Sequence, residues 1–203
     1  MIEVAAAIIE RNGRILIGKR GGTGSCTGLW EFPGGKREPG EILSETLRRE
    51  CREELGVSIS VGGLCAEITH QYPDREVHLS FFFALLENGE PSPSVHTELL
   101  WAAPEDLTGL SFCPADTELV VRLAAAYSLC PGRYRHYKGK EYQLLALARH
   151  SETLEPMAVY RALYGEGEVW VRPALMFSET VTKNGEAFPR FVRIREFPEI
   201  SPL

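Results

Sequence analysis

The sequence predicts an α/β (α+β) domain with a mixed sheet between helices over residues 1–130, followed by a small β-rich domain over residues 131–203. In the first part, apolar runs typical of strands alternate with two segments of helical periodicity. In the second part, short alternating runs recur between turn signals and no long helical pattern appears. With 203 residues, the chain is long enough to give each part its own core.

The chain opens with a predicted β-hairpin. Residues 2–9 and 14–19 are apolar runs, and Asn12-Gly13 between them is a strong signal for a two-residue hairpin turn. We therefore expect the first two strands to pair antiparallel.

A helix is predicted from residue 41 to about residue 55. This segment contains no glycine or proline, is rich in Glu, Arg and Leu, and ends at Gly56, a good helix terminator. One apolar residue at every fourth position forms a stripe that can face a sheet. The stripe consists of Leu43, Leu47, Cys51 and Leu55.

The rest of the first part continues the alternation. Residues 57–70 and 76–86 read as strands, and residues 88–94 form a Pro- and Gly-containing loop. A short strand at 99–102 and an amphipathic helix at 116–128 complete the predicted domain.

The predicted helix after residue 41 carries a group of carboxylates. Glu50, Glu53 and Glu54 stand at positions i, i+3 and i+4, so their side chains converge on one face. Like charges at this spacing repel each other, and a hard divalent cation with oxygen ligands would relieve the repulsion. Mg²⁺, with Mn²⁺ as a substitute, is the expected cofactor. A solvated, charged helix face is the alternative.

A glycine loop directly precedes this helix. Phe32 and Pro33 lead into Gly34 and Gly35, which can approach a ligand closely, and Lys36 is placed to meet a phosphate. A glycine carbonyl can complete the oxygen shell of a metal. Pro-Gly-Gly is also an ordinary turn, and only the helix that follows makes a functional loop the better interpretation.

Composition and charge limit the classes of function. No apolar run reaches the roughly 20 residues that span a bilayer, and the first residues lack the basic start of a signal peptide. Five scattered cysteines without CxxC spacing indicate free thiols in a reducing cytoplasm. Residues 1–130 contain 11 Lys and Arg against 19 Asp and Glu, which does not suit a duplex-DNA binder. The oligomeric state is left open.

The spacing from Gly35 to Val57 resembles the Nudix box. It runs from the glycine through Glu41 to Arg49-Glu50 and Glu53-Glu54, with Cys51 at an apolar position. Residues 2–128 as a whole resemble a MutT-type Nudix domain, with EFPGGK before the box and YPDREVHLSFF after it. The resemblance implies that a glycine-loop carbonyl and the helix glutamates bind the divalent ions. The implied metal ligands are Gly34, Glu50, Glu53 and Glu54.

The same resemblance implies roles for other residues. Arg20 matches an arginine that contacts phosphate, and Asp116 stands where these enzymes hydrogen-bond the base edge. Asp116 is also a good N-cap for the last helix of the domain. The full substrate-binding set is Arg20, Phe32, Gly35, Lys36 and Asp116.

The implied catalytic residues lie mainly on the carboxylate helix. Glu53 or Glu54 acts as metal ligand or base, and Arg49, four residues after Glu45, braces the carboxylates from behind. A loop acid often found before the strand of Trp101 has no exact counterpart. Glu98, or alternatively His96, is the candidate for orienting the attacking water.

The implied activity is metal-dependent cleavage of a nucleoside triphosphate to the monophosphate and pyrophosphate. The substrates suggested are CTP or dCTP and oxidised nucleotides such as 8-oxo-dGTP. An ADP-ribose or nucleotide-sugar pyrophosphatase is one alternative. A non-catalytic base-recognition module, like those attached to some DNA repair glycosylases, is another.

Residues 131–203 resemble a small bacterial domain of unknown function. The motifs that carry this resemblance are YRHYKG, ARHSET, VYRALY and WVRP..MF. Between Arg133 and Lys140, basic and aromatic residues alternate, as in proteins that bind single-stranded nucleic acids. The interpretation that we favour is an ordinary alternating strand with exposed cations. A second hairpin is predicted at Asn184-Gly185.

Overall fold

The computed structural model describes residues 1–24 and 26–194 and divides the chain into two compact units. The first comprises Met1–Ala124 and His150–Glu155, and the second comprises Ala125–Arg149 and the described residues that follow Glu155. Residues 150–155 form a polar turn within the first unit. The Thr153 carbonyl of this turn accepts a hydrogen bond from the Gly63 N–H at 2.8 Å.

A mixed seven-stranded sheet forms the centre of the first unit. The strands are β1 Ile2–Arg11, β2 Arg14–Arg20, β3 Trp30–Glu31, β4 Gly34–Lys36, β5 Ser58–Gln71, β6 Glu76–Asn88 and β7 His96–Ala102. The order is β3-β2-β1-β6-β5, with β4 on β1 and β7 on β2. β1 runs parallel to β6 and every other pair is antiparallel, which confirms the predicted mixed sheet.

The predicted hairpin between β1 and β2 is confirmed. Asn12 and Gly13 both have positive φ, 53° and 73°, as a two-residue turn with the twist of the flanking strands requires. The strand predicted at 99–102 is longer than expected, because β7 begins at His96, three residues earlier.

Two α-helices flank this sheet: α1 Leu43–Leu55 and α2 Thr117–Tyr127. Leu47, Cys51 and Leu55 of α1 are fully buried against the sheet, so most of the predicted apolar stripe packs as expected. Gly56 ends α1 in the left-handed conformation, with φ of 69°.

Both helices begin slightly later than predicted. The Glu41 side chain lies before α1 and accepts a hydrogen bond from Thr46 Oγ1 at 2.8 Å, so this residue closes the turn that leads into the helix. At α2, a 3₁₀ turn at Pro114–Asp116 precedes the first α-helical residue, Thr117.

The glycine loop is more regular than its sequence indicated. Gly34–Lys36 pairs with β1, opposite Val4, Ala5 and Ala6. A Cβ atom on Gly34, whose φ is 151°, would lie 2.1 Å from the Ala5 carbonyl oxygen. Glycine is therefore required for this strand to approach β1 so closely.

The second unit is built on a separate antiparallel sheet. Its strands are β8 Gly132–His136, β9 Glu141–Arg149, β10 Pro156–Ala162, β11 Val169–Pro173 and β14 Phe191–Arg193, in the order β11-β10-β9-β8-β14. β12 Thr180–Lys183 and β13 Glu186–Pro189 form the predicted hairpin around Asn184-Gly185, which is confirmed. The short helix α3 Ala174–Ser178 was not foreseen; its Phe177 stacks on Phe191 in the core, with centroids 4.0 Å apart.

The strand β8 alternates as the favoured interpretation of its sequence required. Tyr134 is buried in the core, whereas Arg133 and Arg135 on the opposite face both bond the Glu141 carboxylate. Nucleic-acid binding by this unit stays the alternative that we do not favour.

All five cysteines are free thiols. Within residues 1–24 and 26–194, no helix has the length and apolar character needed to cross a membrane.

Candidate active site

A cavity of about 770 Å³ in the first unit brings most of the predicted site residues together. Its walls come from the glycine-loop strands, the carboxylate face of α1 and the turn before α2. Eight predicted residues line it: Arg20, Phe32, Gly34, Gly35, Lys36, Glu50, Glu54 and Asp116. Arg49, Glu53 and Glu98 do not belong to the lining.

Glu50 and Glu54 are the two α1 carboxylates that face the cavity. They stand four residues apart, so one side of the helix carries both. Glu54 Oε2 accepts a hydrogen bond from the Gly34 N–H at 3.4 Å. Burial, opposed by His96 and reinforced by the charges of Glu50 and Glu31, raises the pKa of Glu54 to about 7.

Arg49 braces this array, although by different contacts from those expected. Its guanidinium donates to Glu41 at 2.7 and 3.1 Å, to Glu50 at 2.8 Å and to Glu53 at 3.3 Å. Glu45, the expected neighbour, instead accepts a hydrogen bond from the Ile42 N–H at the start of the helix. The Arg49 hydrogen bonds, together with a backbone N–H, lower the pKa of Glu41 to about 2.

Glu53 and Glu98 lie outside the cavity wall. The Glu53 side chain is 61% exposed and contacts Arg49, and the Glu98 side chain is 55% exposed and pairs with Lys19 at 3.6 Å. The catalytic role given to Glu98 stays a prediction, and its position lends it no support.

Asp116 is a buried acid in the lining of the cavity. This residue is 4% exposed, and its burial and the nearby Glu31 charge raise the pKa of the carboxyl well above its ordinary value, against the influence of Arg20. Arg20 also donates to Glu31 Oε2 at 2.7 Å. Whether Asp116 binds a base stays a prediction.

Sequence reasoning gave no role to Glu31. Its carboxylate lines the cavity and is held by Arg20 on one oxygen and by His96 on the other, at 3.3 Å from Nε2. The only signal in the sequence was its position in the glycine loop, next to Phe32. Tyr72 and Cys26 also line the cavity; Tyr72 was singled out only as part of the segment YPDREVHLSFF, and Cys26 only as one of five free thiols.

The residues of this site suit a magnesium ion that shares its coordination with a substrate. Among the described residues, no three Asp, Glu, His or Cys side chains converge to hold a metal by themselves. Mg²⁺, however, is usually bound through one or two carboxylates, several waters and substrate phosphates. Glu50 and Glu54 supply two hard oxygen donors on one wall, and their mutual repulsion favours a cation there.

The two adjacent glycines predict separable effects of adding a methyl group. In Gly35→Ala, the Cβ would lie 2.2 Å from the Glu50 carboxyl carbon, so we expect Glu50 to be displaced and activity to fall at least tenfold with little change in Tm. In Gly34→Ala, the Cβ would clash with backbone, so we expect a large loss of Tm. Thermal unfolding and turnover of both variants check this, and a Gly35→Ala protein of normal activity would contradict it.

The raised pKa of Glu54 predicts how the metal-free protein responds to pH. A carboxyl whose pKa is higher in the folded state stabilises the fold fully below its ordinary pKa of 4.5, and this contribution is lost as pH rises through about 7. Between pH 5 and 8 in EDTA, we expect Tm to fall more steeply for the wild type than for Glu54→Gln. If the plots of Tm against pH are parallel for the two proteins, Glu54 is not the source of the pH dependence.

Comparison with known proteins places both units in families. The model of the NUDIX domain family matches residues 4–122, and the model of a protein of unknown function (DUF1653) matches residues 132–193. The second match identifies a family without assigning it an activity.

Individual relatives of the first unit are enzymes of nucleotide metabolism. The CTP pyrophosphohydrolase of Escherichia coli (strain K12) is 39% identical over 131 residues, which are 64% of this chain and 97% of that protein. The 8-oxo-dGTP diphosphatase of Proteus vulgaris is 37% identical over 82 residues, 40% of this chain and 73% of that protein. Among solved structures, the E. coli ORF135 protein is 40% identical and matches 60% of this chain and 86% of its own, with a TM-score of 0.53.

Proposed function

Because the chain belongs to the Nudix family of hydrolases, we propose that its first unit hydrolyses nucleoside triphosphates to monophosphates and pyrophosphate with the aid of Mg²⁺. The observation that carries the proposal is the cavity itself. Its lining combines two α1 carboxylates, Glu50 and Glu54, with a buried acid from a different element, Asp116. A nucleotide requires two such groups, one for its phosphates with their cation and one for its hydrogen-bonding base.

The phosphate end of the substrate would lie along the glycine-loop strands and α1. Lys36 and Arg20 are the cationic side chains of the cavity nearest in sequence to these elements, and both are exposed enough to meet phosphate oxygens. Glu50 and Glu54 would hold the cation, with Gly34 beside them. We retain Glu53 as a third ligand, because it lies on the same helix and adjoins Glu54.

A bound Mg²⁺ would supply a Lewis acid that polarises phosphate oxygens and makes a water easier to deprotonate. The chain's own residues orient that reaction. Arg49 fixes the Glu50 carboxylate, and the Gly34 N–H fixes one oxygen of Glu54. In the metal-free protein the pKa of Glu54 is about 7, which suits a carboxylate that accepts a proton from water at neutral pH.

The preferred substrates are proposed to be CTP or dCTP, or oxidised nucleotides such as 8-oxo-dGTP. Support comes from the relatives that act on these nucleotides, at 39% and 37% identity. ADP-ribose and nucleotide sugars contain the same diphosphate and remain the enzymatic alternative. A non-catalytic base-recognition module is less well supported, because Glu50 and Glu54 both line the cavity.

A panel of substrates tests the proposal. The purified 203-residue chain would be incubated with NTPs, dNTPs, 8-oxo-dGTP, ADP-ribose and UDP-glucose, with Mg²⁺ or Mn²⁺, and the products would be separated by anion exchange. We expect monophosphate from one or more triphosphates and much slower cleavage of ADP-ribose and UDP-glucose. Faster cleavage of ADP-ribose would reassign the enzyme, and no cleavage at all would favour a binding module.

Base selectivity is expected to depend on Asp116. A carboxyl kept protonated by burial can donate as well as accept a hydrogen bond, which an ionised one cannot. We expect Asp116→Ala to raise KM and to reduce the ratio of kcat/KM between the best and worst nucleotides by about tenfold or more. The dependence on Mg²⁺ should be unchanged. If the ratio is retained, Asp116 serves only the start of α2.

A further inference from the structure

A buried histidine forms part of the cavity wall. The His96 side chain, at the start of β7, is 1% exposed and lines the cavity wall. Its Nε2 lies 3.3 Å from Glu31 Oε1, whereas its Nδ1 is buried and has no hydrogen-bond partner among the described residues. Because only Nε2 has a partner, the imidazole is best satisfied by donating from Nε2 to the Glu31 carboxylate.

An irregularity in the sheet turns His96 toward the cavity. Lys19 of β2 pairs with Glu98 of β7, but the next residue, Arg20, pairs with His96, so Thr97 is the extra residue of a bulge. In a regular strand His96 and Glu98 would point to the same side. Here Glu98 is 55% exposed and His96 is buried. Such bulges commonly redirect a side chain next to an active site.

The His96 ring packs directly against strand β2 at Gly18. A Cβ atom on Gly18 of β2 would lie 2.4 Å from His96 Cδ2 and 2.6 Å from Nε2. The ring therefore packs on the Gly18 backbone, and a larger residue at position 18 would displace it.

Glu31 lines the cavity and is held at both carboxylate oxygens. Arg20 donates to Oε2 at 2.7 Å and His96 contacts Oε1. The Glu31 charge acts on both Glu54 and Asp116. A shift of this carboxylate would therefore change the surroundings of both residues.

We propose that His96 is a positioning residue, which fixes the Glu31 carboxylate against Arg20 and so aligns a nucleotide between Glu54 and Asp116. The proposal rests on the proposed function of the same cavity. It gives His96 no direct part in the chemistry. Loss of the bond should therefore weaken nucleotide binding more than it slows turnover.

The test compares two replacements of His96 with a matched control. His96→Gln keeps an N–H donor close to the position of Nε2, and His96→Leu removes it. His78→Leu is the control, because His78 also faces a glutamate, Glu67, at 3.5 Å but lies outside the cavity lining. For each full-length variant, Tm, KM, kcat and the Kd of α,β-methylene CTP and α,β-methylene dGTP would be measured.

We expect His96→Leu to raise KM and the Kd of the better-bound analogue about tenfold with kcat within about threefold, and His96→Gln to restore most of the binding. Gly18→Ala, which displaces the ring without changing its chemistry, should behave like His96→Leu. His78→Leu should bind as the wild type does. If the wild type hydrolyses no nucleotide, the proposed function fails, but the Kd values still test His96. Equal binding by the wild type and His96→Leu, or an equal loss in the Leu and Gln variants, would overturn the proposal.

Discussion

Replacing Glu54 by glutamine is expected to lower kcat by about 10²–10⁴-fold, the range found for the loss of an acid–base group. Glu54 is the α1 carboxylate whose pKa burial raises to about 7 and whose Oε2 is held by the Gly34 N–H. Glutamine keeps the size of the side chain but loses its negative charge and its basicity. Steady-state turnover of the best substrate at saturating Mg²⁺ measures the effect.

A glutamate on the other helix provides the control for this variant. Glu118 of α2 is 66% exposed and pairs with Arg122 in the same helix, outside the cavity. Glu118→Gln should turn over within twofold of the wild type. Comparable activity of the wild type and Glu54→Gln, at equal metal loading, would remove Glu54 from the mechanism.

Replacing Arg49 by methionine is expected to lower activity or Mg²⁺ affinity by about 10–100-fold, as is typical when the support of metal-binding residues is removed. Arg49 joins Glu41 to Glu50 and also donates to the Lys36 carbonyl at 3.0 Å, so its loss frees the cavity-facing carboxylate and the glycine-loop strand together. Arg49→Lys should recover little, because a lysine cannot form the forked contacts of a guanidinium.

The acid stability of the Arg49 variant offers a separate check. Arg49 lowers the pKa of Glu41 to about 2, so its stabilising effect is fully present above the ordinary glutamate pKa of 4.5 and is lost as pH falls through about 2. We expect the difference in Tm between the wild type and Arg49→Met to be largest near neutral pH and to shrink toward pH 2. A difference that grows on acidification would contradict the role of the Arg49–Glu41 pair.

The sequence predicted those parts of the fold that depend on local patterns. The Asn12-Gly13 turn, the apolar stripe of α1 and its end at Gly56 all follow from backbone preference and periodicity, and all are present. The two short strands of the glycine loop were not predictable in this way. β3 forms by pairing with β2, and β4 forms because Gly34 can approach Ala5 of β1, so both depend on contacts between residues distant in the chain.

The site residues were likewise predicted only as far as local sequence patterns reach. Periodicity placed Glu50, Glu53 and Glu54 on one face of α1. That face is wider than the cavity beside it, so only Glu50 and Glu54 line the cavity. Arg49 binds Glu41, which lies before the first residue of α1. The spacing of four residues within a helix had pointed to Glu45, which instead accepts a hydrogen bond from Ile42. His96 and Glu98 were equivalent in sequence, and the bulge at Thr97 separates them.

The stoichiometry of the products tests the central claim most directly. With CTP or 8-oxo-dGTP as substrate, Mg²⁺ present and no added pyrophosphatase, nucleoside monophosphate and pyrophosphate would be quantified together over the course of the reaction. We predict that the two appear in equal amounts, that EDTA abolishes both, and that Glu54→Gln slows both alike. Release of nucleoside diphosphate and inorganic phosphate, or equal rates with and without EDTA, would contradict a Nudix pyrophosphohydrolase mechanism in this cavity.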